Sequence, residues 1–135
     1  MTTLEAFGDA ICRFEGWIAA DEHKLGSMSW RHRNPGNLRS AKTAVAHEDG
    51  YAVFGSLADG WAALLADIRA KCQGKPFTRT ELGPESTIQE FFDIYAPAAD
   101  RNHPKVYAGF VAQCLTNTTG LKFTVESKLK TIFPG

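Results

Sequence analysis

The chain has 135 residues, of which 44% are hydrophobic and 22% are charged, a composition typical of a folded domain with its own core and not of a disordered chain. The 15 basic and 15 acidic residues give a formal net charge of zero, which argues against nucleic acid as the main partner because phosphate binding requires a basic surplus. The apolar runs are too short to span a membrane, so we expect no membrane insertion.

The first predicted element is an amphipathic helix that ends at a glutamate. Apolar residues recur at intervals of three and four along this stretch: Leu4, Phe7, Ile11, Phe14 and Ile18. This spacing predicts a single buried stripe, with Thr2 or Thr3 as the N-cap and Gly16 as the stop. Glu15 then lies in the last turn, where the helix macrodipole opposes a negative charge by roughly 0.3–1 kcal/mol. Helix propensity does not explain a glutamate at that position.

A loop and a hairpin are predicted next. Residues 26–40, GSMSWRHRNPGNLRS, are rich in turn formers, and Pro35 blocks a helix. The following AVAHEDGYAVF predicts two short strands joined by a turn at Asp49 and Gly50. We therefore predict a small β-lobe over about residues 27–55.

Three further helices are predicted after the hairpin. The first begins at the capping pair Ser56 and Asp59, and its buried stripe is Leu57, Trp61, Leu64, Leu65, Ile68 and Cys72. The second is capped by Ser86 or Thr87 and is ended by Pro97. The third begins at Pro104 and ends before Gly120, and its inward residues are Val106, Tyr107, Phe110, Val111, Cys114 and Leu115. Residues 121–135 fit either a short amphipathic helix or a strand.

The predicted fold class is α+β, mostly helical, with the β-hairpin lobe flanking a cleft in a single domain over residues 1–135. The three cysteines are widely spaced and lie on predicted apolar faces, which indicates reduced core thiols: Cys12, Cys72 and Cys114. The four histidines share no ligand spacing and receive no role: His23, His32, His47 and His103. We expect no metal and no cofactor.

Three motifs carry a resemblance to the lysozyme superfamily of peptidoglycan-cleaving enzymes: ICRFEGW, RNPGNLR, and the tyrosine stretches DIYAPA and KVYAGFV. A first helix ending in Glu-Gly is similar to phage lysozymes and phage-type transglycosylases. The order EGW, NPGNLR, YAVF resembles the autolysin and flagellar-muramidase group. The layout EGW, RNPGNLR, YAP, within about residues 8–112, resembles most a set of small prophage-encoded proteins that are lysozyme-like or structural. The resemblance implies a lysozyme-like fold that cleaves the β-1,4 bond between N-acetylmuramic acid and N-acetylglucosamine.

That reaction requires a proton on the leaving oxygen, and the resemblance makes Glu15 the general acid. A carboxylic acid supplies this proton near neutral pH when apolar surroundings raise its pKa. Phe14 and Trp17 adjoin Glu15, and Trp30 follows within the next loop. The alternative is a solvated glutamate, or one paired with Arg13.

The residue that would supply a second catalytic carboxylate stays open. Phage lysozymes carry an aspartate nine residues after the glutamate, where this chain has Lys24. Asp21 is the candidate we select, and the other acidic residues within reach are Glu22, Glu48 and Asp49. Some transglycosylases need one acid only, because the 6-hydroxyl of the sugar attacks, so hydrolase and lytic transglycosylase both stay open. Tyr95 is a candidate to hydrogen-bond the acid or the sugar ring; the alternative is a core tyrosine.

The substrate-binding candidates lie in and beside RNPGNLR. Asn34 and Asn37 would offer amides to N-acetyl groups, while Arg33 or Arg39 would bind lactyl or peptide carboxylates. Trp30 would contribute an apolar wall. The alternative is a structural turn with solvent-facing arginines, with Asn37 bracing the turn.

The expected partner is the peptidoglycan glycan strand, bound by a monomer. The N-terminal stretch carries acidic residues and no basic n-region, so we expect synthesis in the cytoplasm and action on the wall after release or virion delivery. The rival interpretation is a non-catalytic lysozyme-like protein, either a phage structural component or a glycan-binding module.

Overall fold

The structure, a computed structural model, describes residues 1–15, 31–74, 81–95 and 103–132. These residues form four α-helices, one antiparallel hairpin and a short 3-10 helix, which confirms a mostly helical α+β class. In chain order the elements are α1 (Thr3–Phe14), β1 (Ala46–Glu48), β2 (Tyr51–Val53), α2 (Leu57–Gln73), α3 (Ile88–Tyr95), α4 (Pro104–Thr119) and the 3-10 helix (Leu129–Thr131).

The chain divides into two compact units. The first comprises Met1–Ala10 and Asp67–Gly135, and the second comprises Ile11–Ala66. The division falls within α1 and within α2. The prediction of a single domain over residues 1–135 stays a prediction.

An aromatic cluster forms the core of the first unit. The Phe7 ring stacks on Phe92 with centroids 5.7 Å apart and meets Phe91 edge-on at 5.0 Å. Phe92 also stacks on Tyr107 at 4.5 Å, and these four side chains are essentially excluded from solvent. Each such pair adds about 0.5–1.5 kcal/mol beyond burial. Tyr107 is therefore a core residue.

Local capping signals define the ends of the helices. Thr2 and Glu5 form a reciprocal capping box before α1, with bonds of 2.9 and 3.1 Å. Thr87 and Glu90 do the same before α3, at 3.0 and 3.1 Å. Gly120 follows α4 in the left-handed conformation, with φ of 75°. These caps confirm the predicted boundaries, because each signal acts within three or four residues.

Residues 121–132 form neither an amphipathic α-helix nor a regular strand, the two forms predicted for residues 121–135. Thr87 and Lys128 form a single antiparallel bridge, with Ile88 donating its N–H to the Ser127 carbonyl oxygen at 3.0 Å. The 3-10 helix follows at once, and its Leu129 is buried. Backbone hydrogen bonds therefore hold this segment beside the beginning of α3, and no local sequence pattern predicts them.

Two predicted core positions of α4 were wrong. Val106 is 62% exposed and Phe110 is 37% exposed, because the buried face of the helix is centred on other residues. That face consists of Tyr107, Ala108, Val111, Ala112 and Leu115. Trp61, predicted to be in the core of α2, is only partly buried.

The three cysteines are thiols, and Cys12 and Cys72 are buried as predicted for core residues, whereas Cys114 is only partly buried. Burial raises the pKa of the Cys72 thiol to about 12, so this thiol stays protonated and unreactive at neutral pH.

The hairpin of the second unit has the predicted turn. Ala46 pairs with Val53 and Glu48 with Tyr51. Asp49 and Gly50 have φ angles of 54° and 84°, as a two-residue type I′ connection requires. After the hairpin, the Ser56 hydroxyl accepts the Asp59 N–H at 3.1 Å and caps α2.

Gly60 in α2 lies against the loop that precedes the hairpin. A Cβ atom at this position would overlap the Arg33 carbonyl oxygen and lie 2.9 Å from Pro35 Cδ. By contrast, a Cβ atom at Gly109 in α4 would meet nothing within 4 Å.

We predict opposite effects for alanine at these two helical glycines. Gly60→Ala should lower the free energy of unfolding by about 2 kcal/mol or more, because backbone atoms would have to move. Gly109→Ala should raise it by about 0.5–1 kcal/mol through helix propensity alone. Urea unfolding of both variants measures the difference, and a Gly60→Ala variant as stable as Gly109→Ala would contradict the packing described.

A second prediction concerns Glu85, whose carboxylate accepts hydrogen bonds from Lys128 at 2.7 Å and Lys130 at 2.8 Å. These two hydrogen bonds lower the pKa of the Glu85 carboxyl from 4.5 to about 2, and the bond from Lys128 contributes most. The two ion pairs should stabilise the fold above the unfolded pKa and lose this effect as pH falls from about 4.5 to about 2. The effect should be small and salt-sensitive, because Glu85 is 65% exposed.

NMR titration of the Glu85 carboxyl measures this pKa directly. Glu85→Gln should flatten the pH dependence of the melting temperature in that window, whereas the exposed-site control Glu126→Gln should leave it unchanged. An ordinary glutamate pKa for Glu85 would contradict the ion pairs.

Candidate functional site

The loop of residues 32–39 covers the outer edge of β2, the edge that faces away from β1. Ala52 donates its N–H to the Leu38 carbonyl oxygen at 3.0 Å, and Phe54 donates to the His32 carbonyl oxygen at 2.9 Å. The Arg33 guanidinium donates to the Phe54 carbonyl oxygen at 3.4 Å. An exposed strand edge would leave these groups to water or to another chain. The loop therefore pairs this edge without forming a third strand.

Asn34 links the loop to the strand through its side chain. Its Nδ2 donates to the carbonyl oxygens of Leu38 at 2.8 Å and of Ala52 at 2.9 Å. Its Oδ1 accepts the Leu38 N–H at 2.8 Å. Asn34 is 0% exposed, and both amide hydrogens are used. In this arrangement the amide braces the loop and is not presented to a ligand, so the binding role predicted for Asn34 does not fit its surroundings.

The turn itself is closed by Asn37, which donates its N–H to the Asn34 carbonyl oxygen at 2.9 Å. Arg33 and Asn37 both have a φ of 52°, a conformation that non-glycine residues rarely adopt. Asn37 Oδ1 has no hydrogen-bond partner among the residues that the structure describes. Asn37 therefore combines a bracing backbone with an unused acceptor, which leaves its predicted contact with a ligand open.

Two arginines flank this turn, and both are exposed. The Arg39 guanidinium lies over the Tyr51 ring, 4.9 Å from its centroid, which orients the side chain on the hairpin. Arg33 and Arg39 therefore lie at the surface of the second unit.

Glu15 is the first residue after α1. Its N–H still donates to the Ile11 carbonyl oxygen at 3.0 Å, and the residue is partly buried. The predicted position of Glu15 at the end of the first helix is confirmed. Its role as a general acid stays a prediction.

Tyr95 ends α3 and is partly buried. Its ring stacks on Phe91 at 5.3 Å, and the Lys71 ammonium lies 5.4 Å from its centroid. These contacts place the Tyr95 ring at the margin of the aromatic core, in agreement with the alternative that Tyr95 is a core tyrosine. The remaining predicted site residues, Asp21 and Trp30, lie outside the described residues, as do Trp17 and Glu22.

His32, for which sequence reasoning found no role, lies beside two carboxylates of the hairpin. It is 2% exposed, and its Nε2 lies 3.9 Å from Glu48 Oε2. One donor atom from each of His32, Glu48 and Asp49 lies within 4.8 Å of the others. Sequence patterns indicated only that Asp49 lies in a turn. They could not group it with His32, because His32 is far from both acidic residues along the chain.

Comparison with protein-family models, with curated proteins and with solved structures finds no match for this chain.

None of the helices in the described part of the chain combines the length and the apolar character needed to cross a bilayer.

We predict that Asn34→Asp destabilises the protein strongly, although the side chain keeps its shape. A carboxylate cannot donate to the Leu38 and Ala52 carbonyl oxygens, and its buried charge would face both of them. The expected loss is about 3 kcal/mol or more of unfolding free energy.

Asn117→Asp is the matched control, because the exposed Asn117 side chain accepts a bond from Gln113 at 2.9 Å, which aspartate can also accept. Its expected effect is below about 1 kcal/mol. Equal denaturation midpoints for the two variants would show that the Asn34 amide does not hold the loop.

Proposed function

We propose that this protein cleaves peptidoglycan glycan strands, as a muramidase or a lytic transglycosylase, with Glu15 as the general acid. The fold would be lysozyme-like, with the hairpin lobe flanking a substrate cleft. The proposal is supported by the resemblance of EGW, RNPGNLR and the tyrosine stretches to the lysozyme superfamily. The protein would act on the wall after release from the cytoplasm or delivery in a virion.

One structural observation carries the proposal: Glu15 follows α1 directly and is partly buried. A carboxylate at a helix C-terminus is opposed by the macrodipole, and partial burial adds a desolvation cost to its charged form. Proton donation to a glycosidic oxygen requires the protonated form of such an acid.

The braced loop supports the binding part of the proposal. The three hydrogen bonds of the Asn34 amide brace the turn between Arg33 and Arg39, and both arginines are exposed. Guanidinium groups suit the lactyl and peptide carboxylates of the substrate. Asn37, with its unused acceptor, would bind an N-acetyl N–H after a small local movement.

A second function is favoured by the same loop. With Asn34 committed to the fold and Lys24 where phage lysozymes carry an aspartate, the chain also suits a non-catalytic glycan-binding or phage structural protein. Such a protein would bind the same strands without cleaving them.

Clearing of purified peptidoglycan by the wild type and by Glu15→Gln tests the catalytic role. We expect the variant to keep its melting temperature and to lose roughly 100-fold or more of its activity, the usual scale for loss of a general acid. Glu126→Gln, the same change at an exposed residue, should keep full activity. Mass spectrometry of the products separates hydrolysis from formation of 1,6-anhydro ends.

Equal clearing by wild type and Glu15→Gln would remove Glu15 from the mechanism. Binding to the walls in a pull-down, without clearing by either protein, would favour the non-catalytic function. Neither binding nor clearing across several wall types would overturn both.

A further inference from the structure

A buried histidine without a hydrogen-bond partner is the least expected polar feature of the second unit. His32 is 2% exposed, and within the described ranges neither Nδ1 nor Nε2 has a partner. Burying a polar group without a hydrogen bond is costly. An imidazole in this state therefore indicates a ligand that completes its surroundings.

The Nε2 side of this imidazole faces the end of β1. Glu48 Oε2 lies 3.9 Å from Nε2, which is too long for a hydrogen bond. Asp49 contributes a third donor atom, and the three atoms lie within 4.8 Å of one another. Both carboxylates are exposed, so water and ions reach them, while the imidazole approaches from the protein interior.

We propose that His32, Glu48 and Asp49 bind a divalent first-row transition cation, of which Zn²⁺ is the test case. Ligands about 2.0–2.2 Å from a tetrahedral zinc lie roughly 3.4 Å apart. The Nε2 to Oε2 distance of 3.9 Å therefore has to contract only slightly, and Glu48, whose side chain is 60% exposed, can move.

The ligand types select the class of ion. An imidazole with two carboxylates suits zinc and its neighbours, whereas calcium and magnesium prefer oxygen ligands alone. Three protein ligands leave a fourth position for water.

The ion would join His32 at the start of the loop to the turn of the hairpin. It would thereby add a second link to the one that Asn34 makes with β2. This site is independent of the proposed role of Glu15, because none of its three residues takes part in that role.

Isothermal titration of Zn²⁺ into the chelator-treated full chain, carrying no polyhistidine tag, tests the site. The wild type should bind one equivalent and melt several degrees higher with the metal bound. Glu48→Gln and Asp49→Asn should each weaken binding roughly 10-fold or more. Asparagine accepts the left-handed conformation of position 49, so Asp49→Asn should keep the fold.

His47→Asn is the matched control. His47 is an exposed histidine of β1 and directly precedes Glu48, one of the proposed ligands. It should bind Zn²⁺ as the wild type does. In NMR spectra only the His32 imidazole signals should shift strongly on addition of Zn²⁺, and those of His47 and His103 should not. Mg²⁺ should produce neither effect.

Three results would overturn the proposal. The first is no Zn²⁺ binding by the wild type, and the second is unchanged affinity in Glu48→Gln and Asp49→Asn. The third is a Co²⁺ spectrum with thiolate charge-transfer bands, which would place the ion at a cysteine.

Discussion

The hydrogen bonds between the loop of residues 32–39 and the outer edge of β2 are the interaction on which the second unit depends. A two-stranded hairpin is only marginally stable by itself, and its open edge invites association. Here the Asn34 side chain donates to the carbonyl oxygens of Leu38 and Ala52. The loop carbonyl oxygens of Leu38 and His32 accept the N–H groups of Ala52 and Phe54. The close contact at Gly60 also packs the beginning of α2 against this loop.

This arrangement changes the interpretation of RNPGNLR. A motif rich in amides and guanidinium groups suggests ligand binding throughout, yet its most polar buried member is used internally. Arg33 and Arg39, at its two ends, are exposed by contrast. The motif is therefore first a structural device that holds a short hairpin, and any function in glycan binding would be built on the rigidity that Asn34 provides.

Sequence reasoning succeeded where the determining interactions are local. Thr2 and Thr87 were each predicted as one of two possible N-caps, and the turn at Asp49 and Gly50 was also predicted, as was a first helix ending beside Glu15. It failed for Val106 and Phe110, because the face that a helix buries depends on which neighbour it meets. It also failed for residues after Gly120, whose bridge to Thr87 joins distant parts of the chain.

The sequence by itself determined the α+β class, most helix boundaries and the hairpin turn, since caps and turns are set by side chains within a few residues. It also placed Glu15 at the end of a helix. Only the tertiary structure decided that Asn34 would bond to Ala52, 18 residues away, and that His32 would be buried beside Glu48. Those pairings depend on how the loop folds back onto the hairpin, and a linear pattern of residue types carries no record of which distant groups will meet.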